Sequence, residues 1–211
     1  MSELEYDKKS PESIYEFALK LRGKCLDEVA NLPPSVTNKR NRGDLGSLVE
    51  KYFFKHQPES NRGPDFAEAG LELKTTGVVR NKSGSYRAKE RLVLTMINFE
   101  SLASEKWVSS SFLKKCAFLL ILFYQFDKEV PVHRRRFVLD PLLFRIPQED
   151  LVIMERDWQL IRKKVQDGKA HELSEGDTFY LGACRKGSGG EKESLQRQPF
   201  SKSLLYLVQR Q

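Results

Sequence analysis

Apolar and polar positions alternate from Leu71 to Thr76: Leu71, Leu73 and Thr75 face one way, Glu72, Lys74 and Thr76 the other. That period of two is the signature of a half-buried β-strand. Elsewhere the spacing lengthens to three and four. Ile14, Phe17, Ala18 and Leu21 line one face behind Ser10-Pro11, a good N-cap followed by proline in the first turn, and predict a helix broken near Gly23. Leu26 and Val29 continue it as a second short helix before Pro33-Pro34. Leu45, Leu48, Val49 and Tyr52 form the stripe of a further helix that Asp44 can cap. Residues 91–98 read as a strand apolar on both faces, hence internal, and the apolar run 117–124 reads as a buried strand. Val138 and Leu139 suggest another strand before Pro141, and residues 178–184 a late one. Leu151, Met154, Trp158, Ile161 and Val165 predict an amphipathic helix over 148–167, stopped by Gly168, and these large side chains are core rather than a cofactor box.

Composition narrows the class. The chain has 211 residues, 39% hydrophobic and 31% charged, which fits one sizeable globular domain over 10–211 behind a flexible lead-in at 1–9. The first residues hold no apolar stretch of a secretory signal. The longest apolar run, 116–124, is nine residues, against the ~20 that cross a bilayer as a helix. Cys25, Cys116 and Cys184 are an odd, widely spaced set, and His56, His133 and His171 are equally scattered. The cysteine pattern speaks for a reducing cytoplasm and against structural zinc. A net charge of +7 favours an anionic partner without separating nucleic acid from an acidic membrane. The positive charge is concentrated in a loop at 33–43 with Lys39, Arg40 and Arg42, around Gly84 (Arg80, Lys82, Arg87, Lys89, Arg91), and at His133 to Arg136, which reads as a solvated edge.

The alternating stretch also carries chemistry. Glu72 and Lys74 share a strand face roughly 7 Å apart at Cα, and a turn at 68–70 folded as a hairpin brings Asp65 back beside Glu72. Two carboxylates and a lysine in one pocket suit metal-assisted phosphodiester hydrolysis: Mg²⁺ takes hard oxygen ligands, and a lysine can orient the attacking water or neutralise the phosphorane. The same spacing also fits an ordinary surface strand.

The surrounding residues favour the first reading. The run 63–75, Gly-Pro-Asp-Phe-Ala-Glu-Ala-Gly-Leu-Glu-Leu-Lys-Thr, resembles the active-site segment of the MutH family, which joins the mismatch-repair nicking endonuclease to type II restriction endonucleases that cut at GATC. Asp65, Glu72 and Lys74 match its Asp-x6-Glu-x-Lys motif, and the likeness continues at 89–94, 110–115, 157–158 and 168–176. The resemblance implies an α/β restriction-endonuclease-like fold, PD-(D/E)xK, with a mixed central sheet flanked by helices. It implies Mg²⁺ between Asp65 and Glu72, with Glu50 completing the acidic cluster and the Leu73 carbonyl as a further ligand. It also implies Lys74 beside the attacking water, Lys115 serving the site or the DNA backbone, and a 5′-phosphate product. Lys186, with Arg185, matches the base-reading loop, and Lys89 and Arg91 lie in the basic stretch expected to flank double-stranded DNA. Taken alone, Glu50 is equally an exposed helical glutamate, and Lys115 a strand-end charge.

After Gln198-Pro-Phe-Ser the chain departs from the resembled pattern, in which a longer basic and aromatic segment follows; the restriction branch adds a second, non-catalytic domain. The expectation is a catalytic domain with a shortened end. Double-strand cleavage then calls for a second domain or a homodimer. The readings that compete with a restriction enzyme are a mismatch-repair nickase and a DNA-binding module without catalysis.

Overall fold

The computed structural model describes residues 5–37, 45–56, 63–185 and 196–200, with Arg185 and the last five by backbone alone. In chain order the elements are α1 (Pro11–Ala18), α2 (Leu26–Val29), α3 (Pro34–Thr37), α4 (Leu45–Leu48), β1 (Glu72–Arg80), β2 (Tyr86–Ala88), β3 (Leu92–Ile97), α5 (Phe99–Ser104), α6 (Ser111–Cys116), β4 (Phe118–Gln125), β5 (Leu142–Arg145), α7 (Gln148–Gln166), β6 (Cys184–Arg185) and β7 (Gln196–Phe200). They fall into two compact units: residues 1–90 with 118–144, and residues 91–117 with 145–210.

The first unit is built on a mixed sheet of order β2-β1-β4-β5. β1 and β4 run parallel, with Glu72 opposite Leu119, Leu73 opposite Leu120 and Lys74 opposite Ile121, while β1 and β2 form an antiparallel hairpin. Residues opposite each other share a face. Leu73 and Leu120 therefore look into the core, and Glu72 and Lys74 share the other face with Leu119 and Ile121. β4 is buried from Phe118 to Phe123, as expected for a parallel strand covered on both sides. Its core face meets Ile14, Phe17 and Leu21 of the first helical segment and Leu45, Val49 and Phe53 of α4 and the turn that follows it. Ser10 caps α1 by accepting from the Ser13 N–H at 3.2 Å. Within the expected lead-in, Tyr6 is buried, stacks on Phe17 at 4.7 Å and donates to the Phe54 carbonyl at 2.7 Å. This segment is therefore anchored ahead of Ser10.

Several expectations are corrected in this unit. The expected loop at 33–43 opens with the helical turn α3, while Lys39, Arg40, Arg42 and the cap Asp44 lie outside the described residues. The basic stretch around Gly84 is the tip of the β1–β2 hairpin. His133 to Arg136 is a solvated edge only in part: Arg134 and Arg136 are exposed and pair with Asp27 at 3.2 Å and Glu28 at 3.1 Å, but His133 is buried. The strand placed at Val138 and Leu139 lies beyond Pro141 instead, as β5, because Phe137 is spent on isolated bridges to Arg22 and Tyr124.

The second unit holds a sheet of order β3-β7-β6 and the helix α7. Met154, Trp158 and Ile161 are the buried stripe of α7, and Trp158 packs on Trp107, which stacks on Phe112. β3 is not apolar-buried on both faces: Leu92, Leu94 and Ile97 are inside, Met96 is exposed, and a bulge interrupts its pairing near Val93 and Thr95. Residues 178–183 form a turn instead of a strand, which shrinks to Cys184–Arg185.

Candidate active site

Asp65 and Glu72 reach each other through a turn too tight for two ordinary strands. Phe66 and Leu71 exchange backbone hydrogen bonds at 2.9 and 3.2 Å around a 3-10 turn, Ala67–Ala69, and Gly70 closes it at φ +62°. A left-handed residue suits glycine, which has no Cβ to clash. Phe66 is buried against Phe54 at 5.3 Å and Tyr6 at 6.3 Å, so the residue next to Asp65 is nailed into the aromatic core.

Within that frame the carboxylates are cross-tied. The Asp65 N–H donates to Glu72 Oε2 at 3.1 Å, and the Leu73 N–H donates to Asp65 Oδ2 at 2.9 Å. Glu72 is 1% exposed, and Lys74 Nζ donates to its Oε1. A buried carboxylate is costly unless it is paired and hydrogen-bonded, and Glu72 has both kinds of partner. The structure thus brings together Asp65, Glu72 and Lys74, with Leu73 between them in the strand.

Glu50 sits in a π-helical turn, Val49–Phe53, that replaces the regular helix expected there; such turns recur at functional sites. Its carbonyl accepts from His56 N–H at 2.9 Å, and the His56 ring lies 5.8 Å from that of Phe66. Among the described residues, however, no three His, Cys, Asp or Glu side chains gather at metal-binding range. The carboxylates that the turn ties together are those of Asp65 and Glu72. Two carboxylates suffice for Mg²⁺, which ordinarily completes its shell with water and substrate phosphate oxygens. The hard oxygens of Asp65 and Glu72 fit that ion.

The remaining expected site residues are drawn from both units. Lys115 lies in the last turn of α6, in the second unit. Lys89 belongs to the first unit, at the base of the hairpin, where its Nζ sits 4.1 Å from the Phe126 ring centre and 3.3 Å from Glu90. Arg91 belongs to the second unit and pairs with Glu175 at 3.4 Å. Gly182 lies against both, since a Cβ there would meet Arg91 Nη1 and Glu175 Cα at 3.2 Å. Arg185 is described by backbone only, opposite Gln196, and Lys186 lies outside the described residues.

Asp157 is a structural carboxylate without an assigned role in the sequence reading. It is 4% exposed on the buried face of α7 and accepts from the Phe179 N–H at 3.0 Å, the Leu181 N–H at 2.9 Å and the Tyr180 N–H between them. Its signal was a charged residue inside the apolar stripe Met154, Trp158, Ile161. It fixes the turn that leads into β6.

Comparison with known proteins agrees with this geometry. Residues 54–157 match the family described as DNA mismatch repair enzyme MutH. Over 165 residues, 77% of this chain, the sequence is 39% identical to the type II restriction enzyme Sau3AI of Staphylococcus aureus, of which the match covers 33%. It is 28% identical over 171 residues to the DNA mismatch repair protein MutH of Shewanella woodyi, covering 78% of this chain and 71% of that protein. A MutH of Photorhabdus laumondii is 28% identical over 166 residues, 77% and 70% of the two chains. The chain thus spans about a third of the restriction enzyme's length. The α/β fold with its mixed sheet is of the restriction-endonuclease type. These matches, which run through the strand bearing Glu72 and Lys74, place the chain in the MutH family.

Proposed function

We propose that the chain is a Mg²⁺-dependent, sequence-specific endonuclease that hydrolyses phosphodiester bonds of double-stranded DNA at GATC in the cytoplasm, in the manner of a type II restriction enzyme. The observation that carries this reading is the cross-tied set Asp65, Glu72 and Lys74 at the start of β1. The 39% identity to a protein named as a type II restriction enzyme supports the restriction branch over repair. Among the described residues no helix is long and apolar enough to cross a membrane.

Asp65 and Glu72 would hold Mg²⁺, with the Leu73 carbonyl and Glu50 as further ligands. When bound, the ion supplies Lewis-acid polarisation of the phosphate and a lowered pKa for a water in its shell. The chain's own residues do the rest. Lys74 Nζ, tied to Glu72, orients the water for attack opposite the leaving oxygen and offsets charge building on the phosphate. The water oxygen bonds to phosphorus, the bond from phosphorus to O3′ breaks, and the products are a 5′-phosphate and a 3′-hydroxyl. Lys115 is assigned to the site or the DNA backbone; Lys186 and Arg185 are assigned to base edges, with Lys89 and Arg91 on the flanking phosphates.

One such site cuts one strand, so a double-strand cut takes a homodimer, a second domain or sequential nicking. The family match described as a mismatch repair enzyme favours a second reading, a nickase that awaits partner proteins. Incubation of the purified chain with Mg²⁺ and two plasmids, one bearing GATC and one lacking it, tests the proposal. Nicked and linear forms of the first plasmid alone are expected. Equal cutting of both would overturn sequence specificity, and binding without cutting would leave a DNA-binding module.

A further inference from the structure

The β1–β2 hairpin carries charge that the fold leaves unneutralised. Arg80, Lys82 and Arg87 are all exposed. Three other arginines of this unit are matched: Arg22 with Asp140, Arg134 with Asp27, Arg136 with Glu28. Among the described residues no carboxylate lies within ion-pair range of Arg80, Lys82, Arg87 or Arg135. Three unmatched cations on one short hairpin repel one another, a cost that an anionic partner would remove.

The hairpin is stiff at its base. Phe126 is flanked by two cations, Lys89 Nζ at 4.1 Å and the Arg135 guanidinium at 4.8 Å from the ring centre. The Phe126 N–H donates to the Val78 carbonyl at 2.8 Å and the Lys89 N–H to the Gly77 carbonyl at 2.9 Å. Gly77 leaves room for this ring, since a Cβ would meet Phe126 Cβ at 3.3 Å and the Tyr124 ring at 3.4 Å. At the tip, Arg80 Nε donates to the Gly84 carbonyl at 3.2 Å and Gly84 adopts φ +89°.

Its position relative to the carboxylates follows from strand geometry. Even-numbered residues of β1 share one face, so Arg80 looks to the same side as Glu72 and Lys74, opposite Tyr86 in the register. Six residues separate Lys74 from Arg80, about 20 Å of strand. A duplex rises ~3.4 Å per base pair, so that span is about six base pairs.

We infer that the hairpin is a sequence-independent phosphate clamp: Arg80, Lys82 and Arg87 grip the backbone of the DNA duplex about six base pairs from the scissile phosphate. The inference rests on the endonuclease reading and deepens it. It gives a four-base-pair cutter a footprint longer than its recognition site, with affinity in the flank and sequence choice elsewhere. DNA is favoured over an acidic lipid surface because the cations stand on the hairpin whose first strand carries Glu72 and Lys74.

The test compares binding of the full chain, with Ca²⁺ replacing Mg²⁺, to two duplexes bearing one central GATC, with flanks of about 3 or about 12 base pairs, over a series of salt concentrations. The wild type should bind the longer duplex at least 10-fold more tightly, with log Kd steeper in log salt by about 2 to 3, near 0.9 per phosphate contact. The variant R80A/K82A/R87A should lose both the length advantage and the extra slope. K82E, a single change at an exposed tip, should show the same loss in part, and an unchanged thermal midpoint would separate lost contacts from lost folding. A triple variant that keeps the wild-type length ratio and slope would overturn the clamp alone. Equal loss of binding to phosphatidylserine vesicles with no change on DNA would overturn it in favour of a lipid surface. A wild-type chain that binds neither duplex would overturn the endonuclease reading beneath it.

Discussion

At the residue scale the chain uses buried carboxylates in two ways. Glu72 is tied to the ammonium group of Lys74, to which the proposal assigns chemistry, whereas Asp157 is tied only to backbone N–H groups. Truncation of Asp157 to Ala would orphan three donors at once and should destabilise the chain by about 3 kcal/mol, read as a lower urea midpoint, with Asp157→Asn costing less. Tyr6 gives a pH test. Burial pushes its hydroxyl up to about 12 from an ordinary 10.0. A folded value above the unfolded one means that the neutral hydroxyl's contribution is complete below pH 10 and is lost as pH rises towards 12. Chemical denaturation at pH 9 and at pH 11.5 should therefore show a drop in the wild type that is smaller in Tyr6→Phe, and the variant itself should be about 1 kcal/mol less stable at neutral pH for want of its bond to the Phe54 carbonyl. Legibility in the sequence divided along the same line. Asp65, Glu72 and Lys74 could be read because ten residues hold them all and one turn joins them. Asp157 could not, because its partners are more than twenty residues away and backbone amides leave no mark on composition.

At the element scale the turn before β1 decides whether the site exists. Gly70 at φ +62° holds the bend that sets Asp65 beside Glu72. Gly70→Ala should cost about 1 kcal/mol for placing a Cβ in the left-handed region. It should also weaken Mg²⁺ binding several-fold, measurable by calorimetry, whereas Gly63→Ala, which meets open space, should do neither. Elements fixed by periodicity, α1, α7 and β4, were legible as they stand. Those fixed by distant partners were not. Apolar residues 138–139 read as a strand although Phe137 had already taken the pairing, and residues 178–183 have a strand's composition but bend to satisfy Asp157. β3 read as internal because its sequence is apolar throughout, yet Met96 faces solvent.

At the scale of the whole molecule the mixed α/β architecture was legible through the family resemblance, and the division into two units was not, since the second unit is assembled from two separated stretches of chain. The net charge of +7 favoured an anionic partner, and the fold shows that the cations around Gly84 share the β1–β2 hairpin without a carboxylate in ion-pair range of Arg80, Lys82 or Arg87 among the described residues. A single Asp65, Glu72 and Lys74 set among the described residues also bears on product order: nicked plasmid should form at a rate proportional to chain concentration, and linear plasmid either later, from the nicked form, or with a steeper concentration dependence, as time courses at several concentrations would show. The most direct test of the assigned chemistry is single-turnover cleavage of an end-labelled duplex with one GATC in Mg²⁺, wild type against Glu72→Gln, with binding of both measured in Ca²⁺. Cutting should fall by at least about 10³-fold in the variant while its affinity stays within a few-fold of wild type, as for loss of a group that acts on the transition state. A variant that still cuts at a comparable rate, or one that loses binding together with cutting, would contradict the role given to Glu72 and with it the site.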